Sequence, residues 1–292
     1  MKTTKTKPLS PSSPHKVAWI RRRGSVRILV GGIMSGFIIL LVLVSLFWTP
    51  YDPNVSILAD RLAKPAILGY ESDHLLGADN LGRDVLSRIM AGGQISLSIG
   101  VMALFGTVLI GIVFGLLSGY YGGWVDDILN MIAEIRNSMP MTLIIIVMLS
   151  IIGPSVFSLA VLLALSEFVT IFRTTRAKTK LEKNMDYITA ARSNGANDAR
   201  IIFRYIMPNI INNVTVLATL MIGTIILEEA GLSYLGIGVA RPYPSWGRMI
   251  ADGQSYFSEG WWIATFPALA IAIFVMGINI LGDGLRQMWK ME

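Results

Sequence analysis

No cysteine occurs among the 292 residues, so the chain has neither a disulfide framework nor a thiolate metal site. Histidine is nearly as scarce: His15 and His74 are the only two, which leaves little for imidazole-based metal binding or acid–base chemistry. Charge is sparse as well. Charged residues make up 15% of the chain against 53% hydrophobic, a balance that excludes an ordinary soluble domain. Three motif absences narrow the chemistry further. There is no G-x-x-x-x-G-K-[ST] loop to cradle ATP phosphates, no H-E-x-x-H helix and no G-x-S-x-G nucleophile elbow. Carboxylates in the apolar stretches are few, so proton-driven transport through intramembrane acids has little to work with. A chain of this kind takes its energy from elsewhere.

What is present is a series of long apolar runs. Residues 28–48 give about 20 apolar positions, enough for a bilayer core of roughly 30 Å, and end in Phe47-Trp48-Thr49-Pro50, an interfacial signature rather than a signal-peptide cleavage site. Further spans are expected over 95–119, 128–152, 156–172, 210–227 and 263–281, six in all. In the second, Gly111, Gly115 and Gly119 recur every four residues, with Ser96 and Gly100 forming another such pair, a spacing that lets membrane helices pack backbone to backbone. Pro140 predicts a kink in the third, which carries Glu134 and Arg136 near its cytoplasmic end. Asp126 and Asp127 suit the N-terminus of that span. In the fourth, Glu167 is read as lying near the inner end, close to Arg173 and Arg176. A structural ion pair there is the first reading; a role in translocation, the default for an ionisable residue inside a span, is the alternative.

The net charge of +6 is unevenly distributed. Lys2, Lys5, Lys7, Lys16, Arg21, Arg22, Arg23 and Arg27 crowd the first 27 residues, and Arg173, Arg176, Lys178, Lys180, Lys183, Arg192, Arg200 and Arg204 crowd a second polar stretch. The alternate loops are neutral or acidic. This is the positive-inside pattern: it orients the chain with both termini cytoplasmic and does not imply nucleic acid. In the outer segment after Pro50, His74, Asp79 and Asp84 are candidate metal ligands. With Arg83 and Arg88 beside them, a capped and salt-bridged helix start is the better reading.

The second polar stretch, DYITAARSNGANDARIIFRYIMPN at 186–209, interrupts the apolar runs. A short helix ends at Gly195, which tolerates the left-handed turn; Asn197 or Asp198 caps a second helix, and Pro208 opens the next span. The spacing Ala190-Ala191, Gly195, Ile206-Met207-Pro208 resembles the EAA loop of ABC importer permeases, with Thr189, Tyr205 and Met207 as departures. The pattern Leu-Gly-x-Asp-x-x-Gly-Arg-Asp ending at Asp84 resembles the dipeptide, oligopeptide and nickel branch. Pro50-Tyr51-Asp52-Pro53 after the first span resembles that branch's C-type membrane subunit. Glu228–Gly238 and Pro244–Met249 are similar to the segment that in this family lies outside, near the mouth of the pathway. Gly282-Asp283-Gly284-Leu285-Arg286 resembles its C-terminal ending.

The resemblance implies an all-α membrane protein with six transmembrane helices and a cytoplasmic coupling helix. It divides the chain into a cytoplasmic tail (1–27), a first helix with an extracytoplasmic loop (28–92) and a permease domain (93–287). It implies import of peptides, nickel or metal chelates by alternating access, with no catalytic residue, metal or cofactor on this chain. ATP and Mg would sit on two partner ATPases. The other implied partners are a paralogous B-type permease, an extracellular or periplasmic substrate-binding protein and membrane lipids, with no nucleic acid. Thr189, Ala190, Ala191, Arg192, Gly195, Arg200 and Pro208 are the implied ATPase-coupling residues, Ala190, Ala191 and Gly195 supplying a close fit and the arginines meeting acids. Glu228, Glu229 and Trp246 are candidates for the pathway or outer gate, helix-end solvation being the competing reading for the two glutamates. An ion-coupled secondary transporter of a small solute is the alternative class; it calls for inverted repeats with broken helices, and no clear repeat is seen. A non-transporting membrane scaffold would survive changes in the coupling stretch.

Overall fold

A computed structural model describes residues 14–239 and 243–289. The described chain is built from helices: α1 (Pro14–Val44), α2 (Val85–Tyr121), α3 (Gly123–Ser138), α4 (Met141–Ile152), α5 (Val156–Lys183), α6 (Asp186–Ser193), α7 (Asp198–Arg200), α8 (Met207–Tyr234), α9 (Trp246–Gln254), α10 (Phe257–Gly260) and α11 (Trp262–Trp289). A π-helical segment, Ile201–Ile206, joins α7 to α8, so 198–234 runs as one rod. Five helical stretches are long and apolar enough to cross a membrane, and the α3–α4 pair makes a sixth.

Several boundaries differ from the sequence expectation. The first helix already begins at Pro14, inside the expected tail, whose first 13 residues lie outside the described part. The helices α2 and α5, with 37 and 28 residues, outrun the bilayer core because a helix needs only about 20 residues to cross it. At Pro140 the third span breaks instead of kinking: α3 and α4 meet at 89°. The proline ring disfavours helical geometry at the residue before it, and Met139 is accordingly extended (φ −109°, ψ 137°), so the first helix stops and Pro140 starts a new one.

The most extensive helix pairing is α2 against α5. The glycine ladder explains it: a Cβ on Gly111, Gly115 or Gly119 would lie 2.6, 2.5 and 2.6 Å from the Cβ atoms of Ile171, Thr175 and Thr179. Without side chains there, the two backbones close to contact distance, as small residues permit in lipid. Helices α1 and α11 close in the same way, with Gly31 against the Gly277 carbonyl. Around these two pairs the bundle has two distinct ends. One collects the α2–α3 turn, the end of α5, α6 and α7. The other collects the 45–84 segment, the α4–α5 turn, α9 and α10.

Candidate coupling surface and membrane pathway

The 186–209 stretch is a helix–turn–helix seated on the bundle. Helix α6 ends in a Schellman turn: the Ala196 amide bonds the Ala191 carbonyl (3.1 Å) and the Gly195 amide bonds that of Arg192 (3.0 Å), with Gly195 at φ +81°. Asn197 then caps the next helix by accepting from the Arg200 amide at 2.9 Å. Ile188 and Ala191, three residues apart on α6, turn inward and are buried with Leu116, Tyr120, Ile201, Ile202, Ile206 and Ile210. Thr189, Ala190, Arg192, Gly195, Arg200 and Pro208 are exposed. The Ala190–Ala191 pair is therefore split, with one residue in the seat and one on the open face.

Long-range polar contacts hold this seat. The Tyr120 hydroxyl at the end of α2 donates to Asp198 (2.5 Å) and accepts from Arg192 (2.9 Å). Lys183 donates to the Tyr120 carbonyl and lies over its ring. Below, Asp126 in the first turn of α3 receives Arg176, Lys180, Asn130 and Ser118, gathering α2, α3 and α5 at one carboxylate. Tyr187 bonds Glu182 and accepts from Asn209; burial first, and then the carboxylate beside it, hold its phenol above the ordinary tyrosine range.

Between α3, α4, α5 and α8 lies a half-open cavity of about 400 Å³, lined by Arg136 of α3, Met141 and Thr142 of α4, Leu163 and Ser166 of α5, Glu228 and others of α8. Arg136 pairs with Glu167 at 3.1 Å and donates to Ser166 at 3.2 Å. Glu228 approaches the same pair. This corrects the expected position of Glu167. Its helix continues to Lys183, so Glu167 lies about 17 Å from the Val156 end, well inside the span, and its partner is Arg136. Arg176, the expected partner, belongs to Asp126. The bundle interior thus holds more charge than the sparse carboxylates in the sequence suggested.

At the opposite end, Asp84 caps α2 by accepting from the Ser87 amide (2.7 Å) and bonds His74 Nδ1 (3.0 Å). Asp79 pairs with Arg83 at 2.7 Å and Arg88 at 3.5 Å. The capped, ion-paired reading holds for this segment, and no cluster of three metal-ligating side chains occurs among the described residues. Trp246 opens α9 from within the core, its indole donating to the Ile89 carbonyl at 2.9 Å.

The match to a known family extends over residues 111–289, which fit the model for the binding-protein-dependent transport system inner membrane component. The chain belongs to that family. It is 38% identical over 258 residues to a glutathione transport system permease protein of Pectobacterium atrosepticum, covering 87% of this chain and 84% of the relative. A di/tripeptide transport system permease protein of Pseudomonas aeruginosa is 36% identical, with 88% and 86% covered. The oligopeptide transport system permease protein of Bacillus subtilis is 35% identical, with 93% and 87% covered. Among solved structures, inward-facing conformations of a methionine ABC transporter match with a TM-score of 0.54 and 21% identity over 67% of this chain and 93% of that one, a likeness of fold.

In this permease the three outer candidates separate. Glu228 alone lines the cavity. Glu229 is fully buried, bonding Ser233 at 2.6 Å, with its other carboxylate oxygen lacking a hydrogen-bond partner. Neither glutamate solvates a helix end, because α8 continues to Tyr234. Sequence reasoning missed Tyr120 and Asp126 as anchors. Their charged partners lie 50 to 78 residues away, and no local spacing marks such pairings.

Proposed function

We propose that this permease is the C-type membrane subunit of an ATP-driven importer of di- and oligopeptides, glutathione included. The observation that carries the reading is the open face of Thr189, Ala190, Arg192, Gly195, Arg200 and Pro208, displayed on a helix–turn–helix whose inner face is packed and tethered. A surface that is packed behind and exposed in front suits docking to another subunit. In the proposed cycle, two ATPase subunits holding ATP and Mg close on one another and carry α6 with them. The tether at Tyr120 and the hub at Asp126 pass that displacement to α2, α3 and α5. The bundle then opens outward to a substrate-binding protein, and hydrolysis resets it. Such coupling requires contacts that differ between the two states, and a surface fixed to three spans provides the lever. A paralogous permease completes the pathway. Both termini are assigned to the cytoplasm, a reading the basic end of the bundle supports. The named cargoes of the three permease relatives support peptide as the substrate class.

The test is recovery of the tagged chain in mild detergent, with uptake of radiolabelled trialanine and glutathione measured in cells with and without the gene. Co-purification of a second permease and P-loop ATPases, together with gene-dependent uptake, is the expected result. Uptake by the isolated chain in vesicles, driven by an ion gradient without ATP, would replace this reading with a secondary transporter.

A further inference from the structure

We propose that Arg136, Glu167 and Glu228 form a polar station within the membrane that receives the primary ammonium group of a peptide cargo in transit. The inference rests on the importer reading above and names a contact point inside it. Ionisable side chains in a span are costly to bury and mark pathways more often than they decorate them. Here Arg136 of α3 and Glu228 of α8 line one cavity, and Glu167 of α5 pairs with Arg136 at 3.1 Å beside it. A structural ion pair needs one cation and one anion. This cluster has one guanidinium and two carboxylates, a formal charge of +1 − 2 = −1 with all three ionised. An ammonium restores neutrality, and its three N–H donors match carboxylate acceptors.

Two further features set the chemistry. The cavity of about 400 Å³ is in the size range of small-molecule sites and combines these charges with apolar walls from Met141, Leu163 and Leu235. It also lies at the break between α3 and α4, with Arg136 in the last turn of one and Met141 and Thr142 in the first turn of the other. Discontinuous helices of this kind build substrate sites in other transporters. The neighbouring guanidinium disfavours a divalent metal, which would want an all-anionic shell. The Nε of Arg136 is buried without a hydrogen-bond partner, so the guanidinium is incompletely used by the protein itself.

The experiment measures trialanine import by the native complex in cells carrying Glu228→Gln, Glu228→Asp or Thr142→Lys. Membrane level and co-purification of partner subunits are checked for each. Losing a charged hydrogen bond should slow import by E228Q roughly ten- to hundredfold, with E228D recovering most of it. T142K places an ammonium beside the station and should block import as strongly. Native-rate import by an assembled E228Q complex overturns the station. Where E228Q fails to reach the membrane, native-rate import by T142K overturns it instead. Failure of the wild-type complex to import trialanine is a separate result: it removes the peptide reading, and the ammonium assignment with it.

Discussion

The two ends of the permease are both rich in polar contacts, yet they use them in opposite ways. At the end carrying the 45–84 segment, His74, Asp79, Asp84 and Arg88 are all buried, between 2% and 4% exposed, and the ion pairs close on one another. Trp262 seals this cap by donating to the Ala78 carbonyl at 3.0 Å, and Gly82 turns at φ +71° where a Cβ would strike the Ile57 carbonyl. At the end carrying α6, the side chains of Arg192 and Asp198 are 56% and 54% exposed, and the closed part of the network is set below them at Asp126. One end buries its charged groups; the other keeps its charged groups exposed even where they bond within the chain. Burial, more than charge content, separates the two ends.

That contrast is broken most sharply by Trp246→Ala at the closed end. The indole is fully packed against Gly93 and Phe274, and truncating a buried tryptophan costs about 3–5 kcal/mol. Thermal unfolding in detergent should shift strongly downward, and import should fall only in proportion to the folded chain that remains. A variant with native melting and failed import would show that α9 acts as a gate rather than as core. Next comes Asp126→Ala at the other end, which leaves Arg176 and Lys180 without their common carboxylate. Asp126 is buried but Arg176 and Lys180 are partly exposed and can turn to water, so losing these charged hydrogen bonds costs about 1.5–3 kcal/mol. Reduced membrane level, with α3 and α5 becoming protease-sensitive near 126 and 176, is expected. Unchanged stability would mean that the hub contributes nothing to the seat.

How far the sequence foretold these regions depends on whether the cause was local. The Gly111–Gly115–Gly119 spacing announced a close helix contact because the four-residue period is itself the packing requirement. Gly195 was equally legible, since a left-handed turn needs one residue type at one place. The caps were expected without one residue being fixed: Asn197 caps where Asn197 or Asp198 was read, and Asp84 closes the capped entry to α2. Glu167 was misplaced for the opposite reason. The apolar run weakens at Arg173, but the helix continues to Lys183, so depth could not be read from hydropathy alone. Its bond to Arg136 spans 31 residues and depends on the break at Pro140, whose size no local rule supplies. The same limit hid Tyr120: only the fold brings Asp198 and Arg192 to its hydroxyl.

A smaller energetic change tests whether the open face acts through its shape. Gly195 has φ +81° and open space around the site of a Cβ. Valine there should carry about 1–2 kcal/mol of left-handed strain, whereas asparagine tolerates that conformation. Import should drop roughly tenfold for Gly195→Val at unchanged membrane level, with Gly195→Asn close to wild type. Equal loss in both variants would indicate that the space beside Gly195, not its turn, is what the partner requires.

The finest probe is Tyr120→Phe, which keeps the ring in its buried position and removes only the hydroxyl that joins α2 to the coupling stretch. Two hydrogen bonds are lost, but Asp198 and Arg192 remain exposed to water and stand 4.0 Å apart, near enough to pair directly. The net cost should therefore be about 1 kcal/mol or less, too little to unfold the chain. Its effect should appear in transmission: faster hydrogen exchange over 186–198, import reduced about twofold to fivefold, and no change in exchange around Trp246. If exchange rises but import does not, α6 is carried by its apolar seat of Ile188, Ile201 and Ile206 alone, and the tether merely steadies it. If neither moves, Tyr120 belongs with the buried contacts of the closed end, and the lever between partner and bundle must run through the helix from Asp198 to Tyr234.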